Sequence, residues 1–231
     1  MRKIIINADD FGRTKDINEA IVKAHKEGVV TSATIMTTGK YFIEGTALAN
    51  ENTSLKVGLH LDLSEYFVIK HGEGRVIGYK DNTVKLGSIE KTMKKQIKEY
   101  KDAGLEFRHM DSHYHIHLRE DLLPFISGIA KEHGLETMRF FKSYYNELGA
   151  DVYARMKEEL RKLDIKTTDH FVSGWNFDEL SNLDDGLAIE LMTHPGKEDE
   201  WRKKELESAC ADNTKKYFKD KHFRLISFED L

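Results

Sequence analysis

Apolar residues fall along this chain in short continuous blocks, separated by stretches in which apolar positions recur at helical spacing. The first block, Lys3 to Ala8 (KIIINA), is rich in β-branched residues and predicts a buried strand. DINEAIVKAHKEG follows, placing Ile17, Ala20, Ile21 and Ala24 on one face of a helix, with Asp16 and Glu19 as a capping-box pair and Gly28 as a stop signal. TSATIM and LKVGLHLDL predict the second and third strands. The stripe Ile89, Met93, Ile97 and Tyr100 predicts a helix capped by Ser88 and ended by Gly104. EFRHMDSHYHIH predicts a fourth strand running into a loop, then a helix with Pro124 near its start and Gly134 at its end. TMRFF, HFVSG, LAIELM and FRLISF complete the strand candidates, about eight in all.

Strands interleaved with helices are the signature of a parallel sheet, either a barrel or a doubly wound sheet. The two prolines, Pro124 and Pro195, mark no linker, and no repeat divides the chain, so one domain over residues 1–231 is expected. The longest irregular piece, Tyr66 to Gly87, predicts a surface loop or small hairpin; its glycines match neither a dinucleotide fingerprint nor a phosphate loop.

Composition narrows the function classes. Hydrophobic residues make up 39% and charged residues 33%, which is globular, and a net charge of −4 leaves no basic excess for nucleic acid. The Lys-rich KTMKKQIKEYK reads as a solvated helix face. The single cysteine, Cys210, excludes an intrachain disulfide framework, fits a reducing compartment and reads as a packed core thiol. The N-terminal apolar run is too short for a signal peptide or membrane span, so no membrane partner and a cytoplasmic setting are expected.

Chemistry concentrates where strands end, the place where parallel α/β folds gather reactive groups. The first strand ends at Asp9 and Asp10, the third carries His60 and Asp62, the fourth ends in Asp111, His113, His115 and His117, and the seventh ends in His194 before Pro195 and Gly196. In a regular strand, Asp111 and the three histidines would share one face. Three imidazoles together cannot all be charged and buried, and a divalent metal resolves the conflict by binding neutral imidazole. Asp10, His60 and the cluster offer one carboxylate and two imidazoles, which leaves positions open for water and substrate. Asp9 and Asp10 cannot face one pocket in regular strand geometry, so the chain must turn there, as Gly12 permits.

NADDFG, GLHL, DSHYHIH and MTHPG, in this order, together with VVTSATIM and the terminal SFEDL, resemble the YdjC-like carbohydrate deacetylases, which include chitooligosaccharide deacetylases. The resemblance implies an α/β fold, a distorted (β/α) barrel of seven to eight parallel strands related to the polysaccharide deacetylases. It implies a divalent metal, usually magnesium, removal of an N-acetyl group from a sugar, and a homodimer. By position it makes Asp10, His60 and His113 the metal ligands, Asp9 the general base and His194 the general acid, with Arg139 orienting the base or the substrate. Thr38 stands where the family often has asparagine, and Arg119 and Glu120 where a proline often follows the histidines; both lie toward the pocket mouth.

The residues alone lead to metal-assisted hydrolysis: a metal lowers the pKa of a bound water, a carboxylate takes its proton, and an acid protonates the departing amine. His113, nearest the strand, is expected to be the ligand, with His115 and His117 lining the substrate pocket. Two imidazoles and a carboxylate suit zinc, cobalt or iron by softness, whereas the resemblance implies magnesium; a divalent metal is expected, magnesium first by resemblance and zinc next. Aromatic residues near strand ends, Phe140, Phe141, Tyr144, Tyr145, Phe177 and above all Trp175 in the loop-like SGWNF, suit sugar faces. The rivals are a metal-dependent phosphoesterase or amidohydrolase, whose His-x-His follows the first strand where this chain has Asp-Asp, and a sugar- or metal-binding protein, which needs neither Asp9 nor His194. The DFG of residues 10–12 has no glycine-rich or catalytic loop to make a kinase.

Overall fold

The computed structural model describes residues 1–70, 75–81 and 83–231. The first half runs β1 (Lys3–Phe11), α1 (Lys15–Lys26), β2 (Ser32–Ile35), α2 (Phe42–Glu51), β3 (Lys56–Leu61), β4 (Phe67–Lys70), β5 (Arg75–Tyr79), α3 (Leu86–Asp102) and β6 (His109–Ser112). The second half runs α4 (Leu123–Glu132), β7 (Thr137–Met138), α5 (Ala150–Lys162), β8 (His170–Ser173), α6 (Phe177–Ser181), β9 (Ala188–Thr193), α7 (Glu200–Cys210), α8 (Asp212–Asp220) and β10 (Arg224–Ile226).

Seven strands form one parallel path in the order β7-β6-β3-β2-β1-β9-β8, and β10 joins it by pairing with β1. The path curls until its ends nearly meet. Thr137 of β7 forms a parallel bridge with Lys166, just ahead of β8, so the barrel closes by a bridge rather than a ladder. This is the expected distorted barrel. β1 is its axis, buried at every position from Ile4 to Phe11, with β9 along one edge and β10 then β2 along the other. That burial on both faces is why the strand opens with the apolar run Ile4–Ile6.

Tyr66 to Gly87 contains the antiparallel hairpin β4–β5, paired Phe67 with Tyr79 and Val68 with Gly78; residues 71–74 and 82 of that stretch lie outside the described residues. α4 has Pro124 in its first turn, and Gly104 and Gly134 adopt positive φ (+81° and +96°) beyond their helices, as their sequence positions suggest.

Two capping expectations are corrected. α1 begins at Lys15, and Asp16 accepts the backbone N–H groups of Lys197 and Glu198 at 3.1 and 3.3 Å, tying the β9–α7 loop to the barrel. α3 begins at Leu86 with Lys85 before it, so Ser88 lies inside the helix. Cys210 is a half-buried thiol at the end of α7, less enclosed than a core position. No helix among the described residues is long and apolar enough to cross a membrane.

Candidate metal and hydrolytic site

The end of β1 carries the turn that its two carboxylates require. Asp10 itself adopts left-handed backbone geometry (φ 69°), and Gly12 follows at φ 85°. Asp is among the few side chains that tolerate this region, and it does so at a cost. The surroundings enforce it: Asn18 accepts the Gly12 N–H at 2.7 Å, the Gly12 carbonyl accepts from Tyr41, and the loop at Gly39 presses so close that a Cβ there would lie 2.2 Å from the Gly12 carbonyl oxygen. The pairing with β2 slips between Ala8 and Phe11 at the same point. Asp9 and Asp10 thereby reach one cleft.

Asp10 Oδ1 faces His60 Nε2 at 3.5 Å and His113 Nδ1 at 3.2 Å, and those two nitrogens are 3.4 Å apart. Asp10 Oδ1 is buried and accepts no hydrogen bond, whereas Oδ2 is held by Arg202 and by Arg13, the latter at 3.2 Å. His60 Nδ1 lies 2.6 Å from Asp111 Oδ1, which fixes the ring and turns Nε2 toward Asp10 and His113. Burial disfavours a charged His60, but Asp111, Asp10 and Asp9 outweigh it and push its pKa up to about 10. A field that holds a proton this firmly also favours a metal cation. A second group, Asp9, His60 and Asp111, also lies within reach of one ion, but there the carboxylates are already taken by Arg139.

Arg139 is fully enclosed. Its Nη1 and Nη2 each donate to Asp9 at 2.7 Å, Nη1 also lies 2.8 Å from Asp111, and Nε donates to Glu190 at 2.6 Å. Burial alone would push the Asp9 carboxyl up; the charge and hydrogen bonds of Arg139 outweigh it and hold the group well below the usual carboxylate range. Glu190, with Oε2 unpartnered, is pushed by burial to about 7 despite Arg139. His194 Nε2 lies 3.9 Å from Asp9 Oδ2, and burial lowers this imidazole below its ordinary value, with partial compensation from Asp9 and Asp10. Glu205 of α7 fixes the backbone here by accepting the His194 N–H at 3.3 Å and the Thr193 hydroxyl.

A cleft of about 810 Å³ opens onto this network. It gathers Asp9, Asp10, His60, His113, His115 and His194 from four points in the sequence. The common face expected for Asp111 and the three histidines is corrected. β6 ends at Ser112, and Tyr114 and His115 take φ of 55° and 54° in the turn that follows, so strand alternation stops there. His115 lines the cleft beside Phe141 and Phe171, and burial holds it well below the usual histidine range. His117 is not a pocket residue: it is fully enclosed, with Nδ1 2.6 Å from Ser112 Oγ and Nε2 2.9 Å from the Arg139 carbonyl. Arg139 likewise contacts Asp9 rather than the cleft. Trp175 turns its N–H to Thr193 Oγ1 at 3.1 Å, away from the lining, and the lining indole is Trp201. Sequence reasoning missed Trp201, Arg202 and Arg13. HPG announces the strand end but gives no register for the helix after it.

Known proteins resemble the chain throughout its length. Carbohydrate deacetylases of Brevibacillus brevis and Clostridium beijerinckii are 32% and 30% identical to it, each across 99% of this chain and 99% and 100% of their own. Among solved structures, a candidate cellobiose-phosphate cleavage protein of Enterococcus faecalis V583 superposes with a TM-score of 0.76 at 24% identity, covering 99% of this chain and 98% of that one. A peptidoglycan N-acetylglucosamine deacetylase superposes at 0.54 with 13% identity, covering 99% and 86%, and shares the curled parallel barrel. The YdjC-like family profile matches residues 3–220, a span that holds every residue of the cleft, and the chain belongs to the YdjC-like protein family.

Proposed function

We propose that the protein is a metal-dependent hydrolase that removes an N-acetyl group from an acetylated amino sugar or short oligosaccharide. The observation that carries this reading is the unpartnered, buried Asp10 Oδ1 beside His60 Nε2 and His113 Nδ1, next to a second carboxylate and an imidazole. Relatives of full length named carbohydrate deacetylases support the sugar amide as substrate. The single cysteine supports a cytoplasmic setting.

Asp10, His60 and His113 would hold the ion, and Arg202 and Arg13 on Oδ2 keep Asp10 to one ligand oxygen. Two nitrogens and one oxygen suit zinc better than magnesium, which prefers an all-oxygen shell. When bound, a divalent cation supplies polarisation of the amide carbonyl and a lower pKa for water. Asp9, kept ionised by Arg139, takes the proton of the attacking water. His194 delivers a proton to the amine, a poor leaving group that needs one.

One observation favours a second assignment of the proton. Both Asp9 oxygens are engaged by Arg139, and His194, whose pKa burial lowers, lies 3.9 Å away. In that reading His194 both takes the proton from water and returns it to the amine, while Asp9 stays a fixed charge.

The test is acetate release from N-acetylated mono-, di- and trisaccharides, before and after chelation, with metal content measured on the same sample. The expected result is activity abolished by chelation and restored by zinc or magnesium. Undiminished activity in metal-free protein would overturn metal dependence, and failure on every N-acetyl sugar would overturn the substrate class.

A further inference from the structure

We infer that Trp201 is the platform on which the sugar ring of the substrate stacks; this rests on the carbohydrate reading above. Trp201 is the second residue of α7 and lines the same cleft as Asp9, Asp10 and His194. Half of its surface is exposed, although a large aromatic side chain gains most by burial. The ring is nevertheless fixed. The Arg202 guanidinium sits 4.4 Å from its centroid, and the His194 ring meets it in a T-shaped contact at 5.6 Å. Arg202 is in turn clamped on Asp10, so the indole is tied to the ligand carboxylate on one side and to the proposed acid on the other.

This placement suits an amide on a ring. A sugar whose apolar C–H face lies on Trp201 brings its ring substituents toward His194, the group that must meet the departing nitrogen. The aromatic residues that cluster after β7 do not offer this: Phe140, Phe141 and Tyr145 are buried among one another and Phe171. Trp175 is half-buried with its N–H already bonded to Thr193. A purely structural role for Trp201, as a cover for Arg202, makes a different prediction. Its loss would then loosen Arg202 on Asp10 and lower metal retention and kcat, leaving substrate affinity alone.

The experiment compares Trp201→Phe and Trp201→Ala with the unaltered enzyme for KM, kcat and metal content. A second arm titrates intrinsic fluorescence with N-acetylglucosamine oligomers in Asp9→Asn protein, where turnover is suppressed. The alanine variant is expected to raise KM about tenfold, the scale of one good aromatic contact, with kcat within about threefold and metal unchanged. The phenylalanine variant should keep most of the affinity. Fluorescence should respond to sugar, and the response should vanish in Asp9→Asn/Trp201→Phe, where Trp175 remains as the other indole. An unchanged KM in Trp201→Ala, a loss in Trp201→Phe as large as in Trp201→Ala, or a sugar response that survives without Trp201 would each overturn the platform. If the enzyme released no acetate from any sugar while the Trp201-dependent fluorescence response remained, the deacetylase reading would fail and the platform would stand.

Discussion

Arg139→Met takes a single cation away from three buried carboxylates, and the structure sets the scale of the result. Asp9, Asp111 and Glu190 all lie within 2.6–2.8 Å of the guanidinium, and none is more than 2% exposed. Removing one partner of a buried ion pair costs about 3–5 kcal/mol, because a desolvated charge is left uncompensated. Loss of the cation shared by Asp9 and Glu190, and by Asp111, which keeps His60 as a partner, places this variant at the upper end, about 5 kcal/mol at neutral pH. For a chain of this size that is a loss of roughly 10–15 °C in Tm. The loss must depend on pH with a definite sign. Without Arg139 the folded-state pKa of Asp9 rises from below its unfolded value, and that of Glu190, already raised by burial, rises further. The folded form then binds more protons than the unfolded form, so stability falls as pH rises through that interval. In the unaltered protein Asp9 behaves oppositely, since its depressed pKa contributes stability above the ordinary carboxylate range. The deficit between the two proteins should therefore be widest near pH 8 and shrink steadily toward pH 5. Thermal unfolding followed by circular dichroism at pH 5, 6, 7 and 8 measures it. A deficit below about 1 kcal/mol at pH 8, or one as large at pH 5 as at pH 8, would refute the claim that Arg139 is held by charge rather than by packing.

Asp10→Asn should lose bound metal, whereas Asp9→Asn should retain it and lose turnover by about a hundredfold or more; equal metal loss in both would remove the division of labour between them. If His194 is the acid, kcat/KM falls as pH rises through its pKa, which burial holds below the ordinary 6.5; a profile that only rises through that value reverses the assignment and makes His194 the base. Glu190, pushed to about 7, makes the folded form lose stability as pH rises from its unfolded value toward 7, and Glu190→Gln should flatten that slope in urea unfolding midpoints. Gly39→Ala would set a methyl group 2.2 Å from the Gly12 carbonyl, so the turn at Asp10 must move, and both Tm and metal retention should drop together.

How far the sequence carried depends on the kind of signal. β1 was legible because burial on both faces favours an apolar run such as Ile4–Ile6, and its end was legible because two adjacent carboxylates have no place inside one. Asp10, His60 and His113 lie at or next to strand termini, where reactive groups gather in parallel α/β folds, and the family resemblance singled them out. His115 and His117 lie only two and four residues further on; His115 still reaches the cleft, but the shared face does not persist and His117 turns into the core. The left-handed pair Tyr114 and His115 breaks the alternation, and nothing in DSHYHIH favours that geometry, since neither residue is glycine. Arg139 was visible as a residue at a strand end but not as the hub of three carboxylates, because those come from β1, β6 and β9. Arg202 meets Asp10 across 192 positions of sequence, and no local pattern can announce such a pair. α2 and α5 escaped for a simpler reason. Gly45 interrupts the first, and in the second Met156 and Leu160 are the buried positions of a helix otherwise covered in charge.

The position of β1 has a consequence for the order in which the protein matures. One edge of this strand is bonded along Lys3–Ala8 to residues 188–193, and the start of its other edge to residues 224–226. During synthesis β1 therefore precedes both of these neighbours by a long stretch of chain. Pairings this distant are slow to form, because the loop they close is long. Asp10 must wait as well, since Arg202 of α7 supplies the charge that balances its second oxygen. The Asp-Asp pair is made 192 residues ahead of the arginine that balances it, so the pocket takes shape only when synthesis has passed residue 202.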